Sequence, residues 1–132
     1  MTDEIKKTEI NFNRLDTRQL KPDRIPAQNI IFTNKEQWKE FWAKYGSGVE
    51  PEINFEKYIA VGVFLGEKPN PGYGVEIIDI KKKGEEVKIE FIEYLPNPLK
   101  GYIQIIVYPY DIVYFPKTEG KIVFFESKKM RE

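Results

Sequence analysis

The sequence predicts a mainly β domain of the α+β kind, a small sandwich or partly open barrel of about seven strands with one amphipathic helix over about residues 34–45. Three observations predict it. Only one segment has apolar residues at helical spacing, the rest of the apolar content falls in β-branched and aromatic runs separated by proline and glycine, and one tight turn joins two runs whose apolar phase changes partway along. At 132 residues, with 41% hydrophobic and 14% aromatic content, the chain can bury roughly two-thirds of its unfolded surface around one core. Three parts are expected: a polar N-terminal arm over 1–28, a β-rich domain over 29–126 and a charged tail over 127–132.

The arm carries scattered apolar residues, of which Ile10 and Phe12 alternate with polar neighbours as a short edge strand would. Asn29 to Phe32 is the next strand, and it runs into Thr33-Asn34-Lys35-Glu36, a capping-box pattern that starts helices. Trp38, Phe41, Trp42 and Tyr45 then form one apolar stripe, and Gly46 stands where a left-handed C-terminal cap is expected.

Tyr58 to Leu65 is a nearly continuous apolar run, as a central strand covered on both faces requires. Ile59, Val61, Val63 and Leu65 are bulky, whereas Ala60 and Gly62 are small, so the second face admits something wide, and the Trp38/Trp42 stripe fits it. Tyr73 to Lys82 and Val87 to Leu95 flank Lys83-Gly84-Glu85, a hairpin turn. The apolar phase slips between Ile77 and Ile78 on one strand and between Phe91 and Ile92 on the other, which predicts a bulge or strong coiling on both. Tyr102 to Tyr108 and Tyr110 to Phe115 read as two strands parted by Pro109, and Ile122 to Phe125 closes the sheet.

Composition then limits function. Twenty-one basic residues balance 21 acidic ones, so no global field draws nucleic acid or anionic lipid. No apolar run approaches the length of a membrane span, and residues 1–14 do not read as a signal peptide; an exported, cell-envelope protein is expected only if its leader has been removed, and a cytoplasmic one otherwise. Cysteine and histidine are both absent, which removes disulfides, thiolate nucleophiles, imidazole bases and zinc sites built on those ligands. The 32% charged fraction, mostly Lys and Glu, with no Cys, fits a protein from a hot environment.

The remaining chemistry is thin. Of the serines, Ser47 sits in a glycine loop and Ser127 beside Lys128. Glu76, Glu90 and Glu93 alternate with apolar residues as solvent-facing strand positions do, which speaks against a catalytic carboxylate pair. Gly66, Gly72 and Gly74 lack the Gly-Lys-Ser/Thr and following helix of a phosphate cradle. Lys81-Lys82-Lys83 with Tyr94, Tyr102, Tyr108, Tyr110 and Tyr114 would suit single-stranded nucleic acid only against a zero net charge. The expectation is therefore a non-enzyme with no cofactor and no metal.

The loop Lys68-Pro69-Asn70-Pro71-Gly72-Tyr73 differs in kind, because two prolines fix its shape and a rigid loop loses little entropy on binding. With Pro96, Asn97, Pro98 and Tyr102 of the second proline loop it forms the candidate protein-binding site, Tyr73 and Tyr102 being its anchors. The same composition also suits a stiff connection with Tyr73 tucked into the core.

Ordered motifs carry a family resemblance. Trp38 to Trp42, Ile53-Asn54-Phe55-Glu56-Lys57, Ala60 to Leu65 with Gly66-Glu67-Lys68-Pro69, Gly72-Tyr73-Gly74-Val75-Glu76-Ile77, the Leu95-Pro96 loop, Tyr108-Pro109-Tyr110-Asp111-Ile112-Val113 and Phe115-Pro116-Lys117 together resemble the PrcB-like family of protease-complex subunits over about Ile31 to Phe125. The chain departs from the family's usual Thr-Gly-Gly-Tyr turn at Asn70-Pro71-Gly72-Tyr73 and has Asn54 where Asp is frequent. The resemblance implies a non-catalytic bacterial accessory domain accompanying a protease, and it supplies no catalytic residues. The same loop is similar, over a short stretch, to the Asn-Pro-Thr-Thr-Gly-Tyr loop of chagasin-type protease inhibitors, without its threonine pair. Three functions follow as expectations: a protein-binding accessory subunit whose partner is another protein such as a protease, a protease inhibitor acting through the proline-glycine loops, and a self-assembling subunit using the N-terminal arm.

Overall fold

The computed structural model describes residues 7–16, 20–48 and 50–132. Its elements are β1 (Lys7–Glu9), β2 (Asn13–Arg14), a 3-10 turn (Pro22–Arg24), β3 (Gln28–Phe32), α1 (Lys35–Tyr45), β4 (Tyr58–Phe64), β5 (Gly74–Lys83), β6 (Glu86–Leu95), β7 (Tyr110–Pro116) and β8 (Lys121–Met130). Two four-stranded sheets form, in the orders β1-β5-β6-β8 and β2-β7-β4-β3. The fold is a small sandwich with α1 on the outside of the second sheet, and the sheets do not close into a barrel.

Strand alternation decides which layer each residue serves. On β4, Ile59, Val61 and Val63 pack between the sheets with Ile77, Ile80, Val87, Ile89, Phe91, Val113 and Phe115. Ala60 and Phe64 face the helix and meet Trp38, Phe41, Trp42, Phe32 and Ile112. The small face of β4 thus receives the aromatic stripe, as its composition predicts. At Gly62 it is Phe64 that lies closest, since a Cβ there would stand 2.7 Å from Phe64 Cε2.

Both helix ends differ from the sequence pattern by local geometry. Asn34, not Thr33, is the N-cap, its side chain accepting from the Gln37 N–H at 2.8 Å while Gln37 Oε1 accepts from the Thr33 N–H at 3.0 Å. Gly46 is extended rather than left-handed (φ −90°, ψ 167°); glycine is needed because a Cβ would lie 2.6 Å from the Trp42 carbonyl oxygen.

The hairpin turn is Gly84-Glu85, with Gly84 at φ +61°. The predicted slip exists on one strand only: the register shifts between Ile77 and Asp79, leaving Ile78 exposed on a bulge. β6 keeps its phase through Val87, Ile89 and Phe91, so Glu93, expected to face solvent, is buried at 6% exposure.

Two further segments depart from expectation. Tyr102 to Tyr108 is not a strand: among the described residues its only ladder contact is the bridge from Val107 to Lys68. β8 runs on through the residues expected as a charged tail, because residues 126–130 continue the parallel ladder on β6 opposite Phe91 to Leu95. At the other end, the described residues of the arm are built into their own chain, β1 pairing with β5 and β2 with β7. Ile10 and Phe12, the expected edge strand, fall between these two strands and pack against the inter-sheet core.

Candidate functional site

The two proline loops meet at one end of the sandwich. Gly72 is buried against Pro96 so closely that a Cβ would lie 2.8 Å from the proline's Cβ. Asn70 shapes the first loop, its Oδ1 accepting from the Gly72 N–H at 2.8 Å and its carbonyl from the Tyr73 N–H. Asn97 plays the same part in the second, its Oδ1 accepting from the Leu99 N–H at 2.9 Å and its carbonyl from Lys100. The Asn97 N–H donates to the Tyr102 hydroxyl at 3.1 Å.

Arg131 holds the loop pair from outside. Its Nε donates to the Gly72 carbonyl at 3.1 Å, its backbone N–H to the Leu95 carbonyl, and its guanidinium lies 4.7 Å from the Tyr94 ring centre. Tyr94 in turn donates to Glu76 Oε1 at 2.7 Å, and this bond to a carboxylate raises its phenol above the ordinary value. Lys68 and Val107 exchange both backbone hydrogen bonds, at 2.8 and 2.9 Å, which ties the first loop to the segment before β7. Beside them, partial burial and the Glu67 carboxylate push the Tyr108 phenol upward as well.

Of the predicted site residues, Pro69, Pro71 and Pro98 are exposed, Lys68, Asn70, Tyr73, Pro96, Asn97 and Tyr102 are half-buried, and Gly72 is covered. The two tyrosines are partly committed: Tyr102 to Asn97, and Tyr73 to the Lys68 ammonium 5.2 Å from its ring centre. Among the described residues, exposed large apolar side chains gather instead at Leu99 of the second proline loop and in the following segment read as a strand. Leu99 is 93% exposed, Ile103 70%, and Ile105 and Ile106 53% each. Residues 101–110 carry no charge in a chain that is 32% charged, a signal that composition alone offered.

Other sequence candidates do not converge. Lys81 lies 3.0 Å from Asp79 and 3.8 Å from Glu90, and Tyr110 and Tyr114 pack towards the helix-side core. Among the described residues no group of three or more acidic side chains is arranged to hold a metal ion, and no helix is long and apolar enough to cross a membrane. Buried acids serve other ends: Asp111 pairs with Arg14, and Glu93 stands 3.7 Å from Lys68.

Comparison with known proteins places the centre of this fold. No curated protein and no solved structure matches the chain. One family model does, that described as PrcB C-terminal, over residues 59–116, which takes in the central strand, the first proline loop, the hairpin, the second proline loop and β7. The stretch from Ile59 to Pro116 is similar to the PrcB C-terminal family.

Proposed function

We propose that this chain is a non-catalytic accessory domain that docks on another protein, a protease or protease-associated subunit, through the end of the sandwich where the proline loops meet. The observation that carries the reading is the exposed apolar group Leu99, Ile103, Ile105 and Ile106 beside those loops, the three isoleucines lying in the uncharged stretch 101–110. Surface isoleucines grouped in this way favour burial against a partner, since each side chain removed from water contributes roughly 1.5–3 kcal/mol. The loops lend rigidity: proline, the Asn70 and Asn97 turns and the Arg131 clamp fix the backbone in advance, so little ordering entropy is lost on docking. The family match supports a protease-associated setting.

The test is affinity capture from host extract with the wild-type chain and with Leu99→Glu/Ile103→Glu, two exposed positions whose change leaves the core intact. The proposal expects a protease or protease-bound protein on the wild type that is lost from the variant. Identical captured sets from the two folded proteins would refute it.

A further inference from the structure

We propose a second binding site on the open side of the sandwich, where an extended partner segment adds to β3 and sets a lysine or arginine side chain against Glu93. It does not rest on the docking role of the proline loops. β3 ends one sheet and β8 the other, and since β1 and β2, which end the opposite sides, follow each other in the chain, β3 and β8 border the same side. A cleft of about 380 Å³ opens between them, walled by Leu65, Phe91 and Phe124 and carrying Asn29, Glu93 and Glu126.

Glu93 stands where the alternation of Val87, Ile89 and Phe91 puts an apolar side chain, and it is 6% exposed. A carboxylate so placed is costly unless a cation meets it. Lys68 does so incompletely, its Nζ lying 3.7 Å away, beyond hydrogen-bond reach, and shared with the face of Tyr73. With Glu126 at the rim, the cleft holds two carboxylates and one ammonium, and its low-dielectric walls focus the remaining negative charge on an incoming cation.

The edges decide how a partner enters. Among the described residues no strand pairs with the outer edge of β3 or of β8; the Gln37 side-chain amide caps β3 at the Ile31 carbonyl, 2.7 Å away, which leaves Gln28 to Ile30 as the part an added strand can reach. β8 is blunted by Lys121, Glu126, Lys128 and Lys129, whereas Gln28–Phe32 carries no charge, which leaves it the better template for an added strand. Ile31 packs between the sheets and Asn29 lines the cleft, so alternate side chains of a strand laid along β3 face the same space. A long basic side chain fits: its apolar stem lies on Phe91 and Phe124 while its head reaches the carboxylates.

The test uses the full chain, isotope-labelled for NMR, titrated with capped peptides Thr-Val-X-Val-Thr in which X is lysine, arginine, norleucine or glutamate. The lysine and arginine peptides are expected to give saturable shifts at Gln28 to Phe32, Glu93 and Glu126, and to bind about tenfold tighter than the other two. That preference should vanish in Glu93→Gln and weaken in Glu126→Gln, which is exposed and serves if the first variant does not fold. Methylating alternate backbone nitrogens of the arginine peptide should abolish binding in one phase and spare it in the other. Absence of saturable shifts at millimolar peptide, shifts confined to other surfaces, or equal affinity for norleucine and arginine would overturn the proposal.

Discussion

Arg14 and Asp111, 97 residues apart in sequence, form a two-pronged ion pair in which Nε and Nη2 donate to the two carboxylate oxygens at 2.9 and 3.0 Å. Asp111 Oδ2 also accepts from the Ile77 N–H at 2.8 Å, and Arg14 Nη2 donates to the Ile77 carbonyl at 2.8 Å. The four bonds bind β2 and β7 of one sheet to β5 of the other, at the residue where the bulge begins. Asp111 is buried while the Arg14 side chain is 47% exposed, so the pair is screened on one side only. The Asp111 hydrogen bond raises the guanidinium further above its ordinary range.

Removing Arg14 leaves a buried carboxylate with one backbone donor, and Arg14→Ala should therefore cost about 2 kcal/mol, discounted from a fully buried pair for its exposure. Asp111→Asn keeps the Ile77 bond and should cost about 1 kcal/mol. Urea unfolding of both variants and the double mutant tests this, with coupling of at least about 0.5 kcal/mol expected. Strict additivity would show that the clasp does not act as a unit.

Gly62→Ala probes the contact between sheet and helix layer. The added methyl meets Phe64 at 2.7 Å in a strand buried on both faces, so the aromatic ring must move and stability should fall by about 1–3 kcal/mol. Thermal unfolding reads the change. An unaltered midpoint would mean that the ring shifts freely.

Glu93→Leu asks what the buried acid contributes to stability. It restores the apolar alternation of β6 and frees Lys68, which is 27% exposed and can extend towards water, so stability should hold within about 1 kcal/mol or increase. A loss above about 2 kcal/mol would mark the ion pair as part of the scaffold.

The docking of β1 on β5 should respond to acid. Glu9 is raised above the ordinary carboxylate range by its hydrogen bond with Asp79 and by that residue's charge, while Asp79 is held lower by its bonds to Lys81 and Glu9 despite the opposing effect of burial. The raised Glu9 contributes most when protonated, below the ordinary value of about 4.3, and its contribution is lost as pH rises through its folded value. Asp79 acts oppositely, its contribution being lost as pH falls through its lowered value. The protection factor of the Ile10 amide, which donates to the Ile80 carbonyl, should therefore rise as pH falls towards about 4.3 and lose this dependence in Glu9→Gln. A protection factor independent of pH in the wild type would contradict the coupling.

Much of the fold was legible because the decisive signals are local. The helix stripe, the split faces of β4 and the Gly84-Glu85 turn each occupy a few adjacent residues whose period or backbone freedom leaves one solution. The misreadings share a different cause. Tyr102 to Tyr108 has strong β propensity, but a strand needs a neighbour, and Val107 alone finds one, in Lys68. In Phe91-Ile92-Glu93-Tyr94 two apolar phases fit equally well, and the choice that buries Glu93 is set by the partner sheet. Arg131 and Arg14 clamp groups far away in sequence, which no spacing rule reveals. The proline loops were visible as rigid connections, whereas the exposed isoleucines beside them became a surface only once the expected strand proved unpaired.

The central claim, docking through the loop end, is tested most directly by placing a photo-crosslinking residue at Ile103 and, as a control on the outer face of the first sheet, at Lys88, then irradiating each chain in host extract. The account predicts a specific protein adduct from position 103 and none from position 88. Adducts at both positions, or at neither, would contradict it.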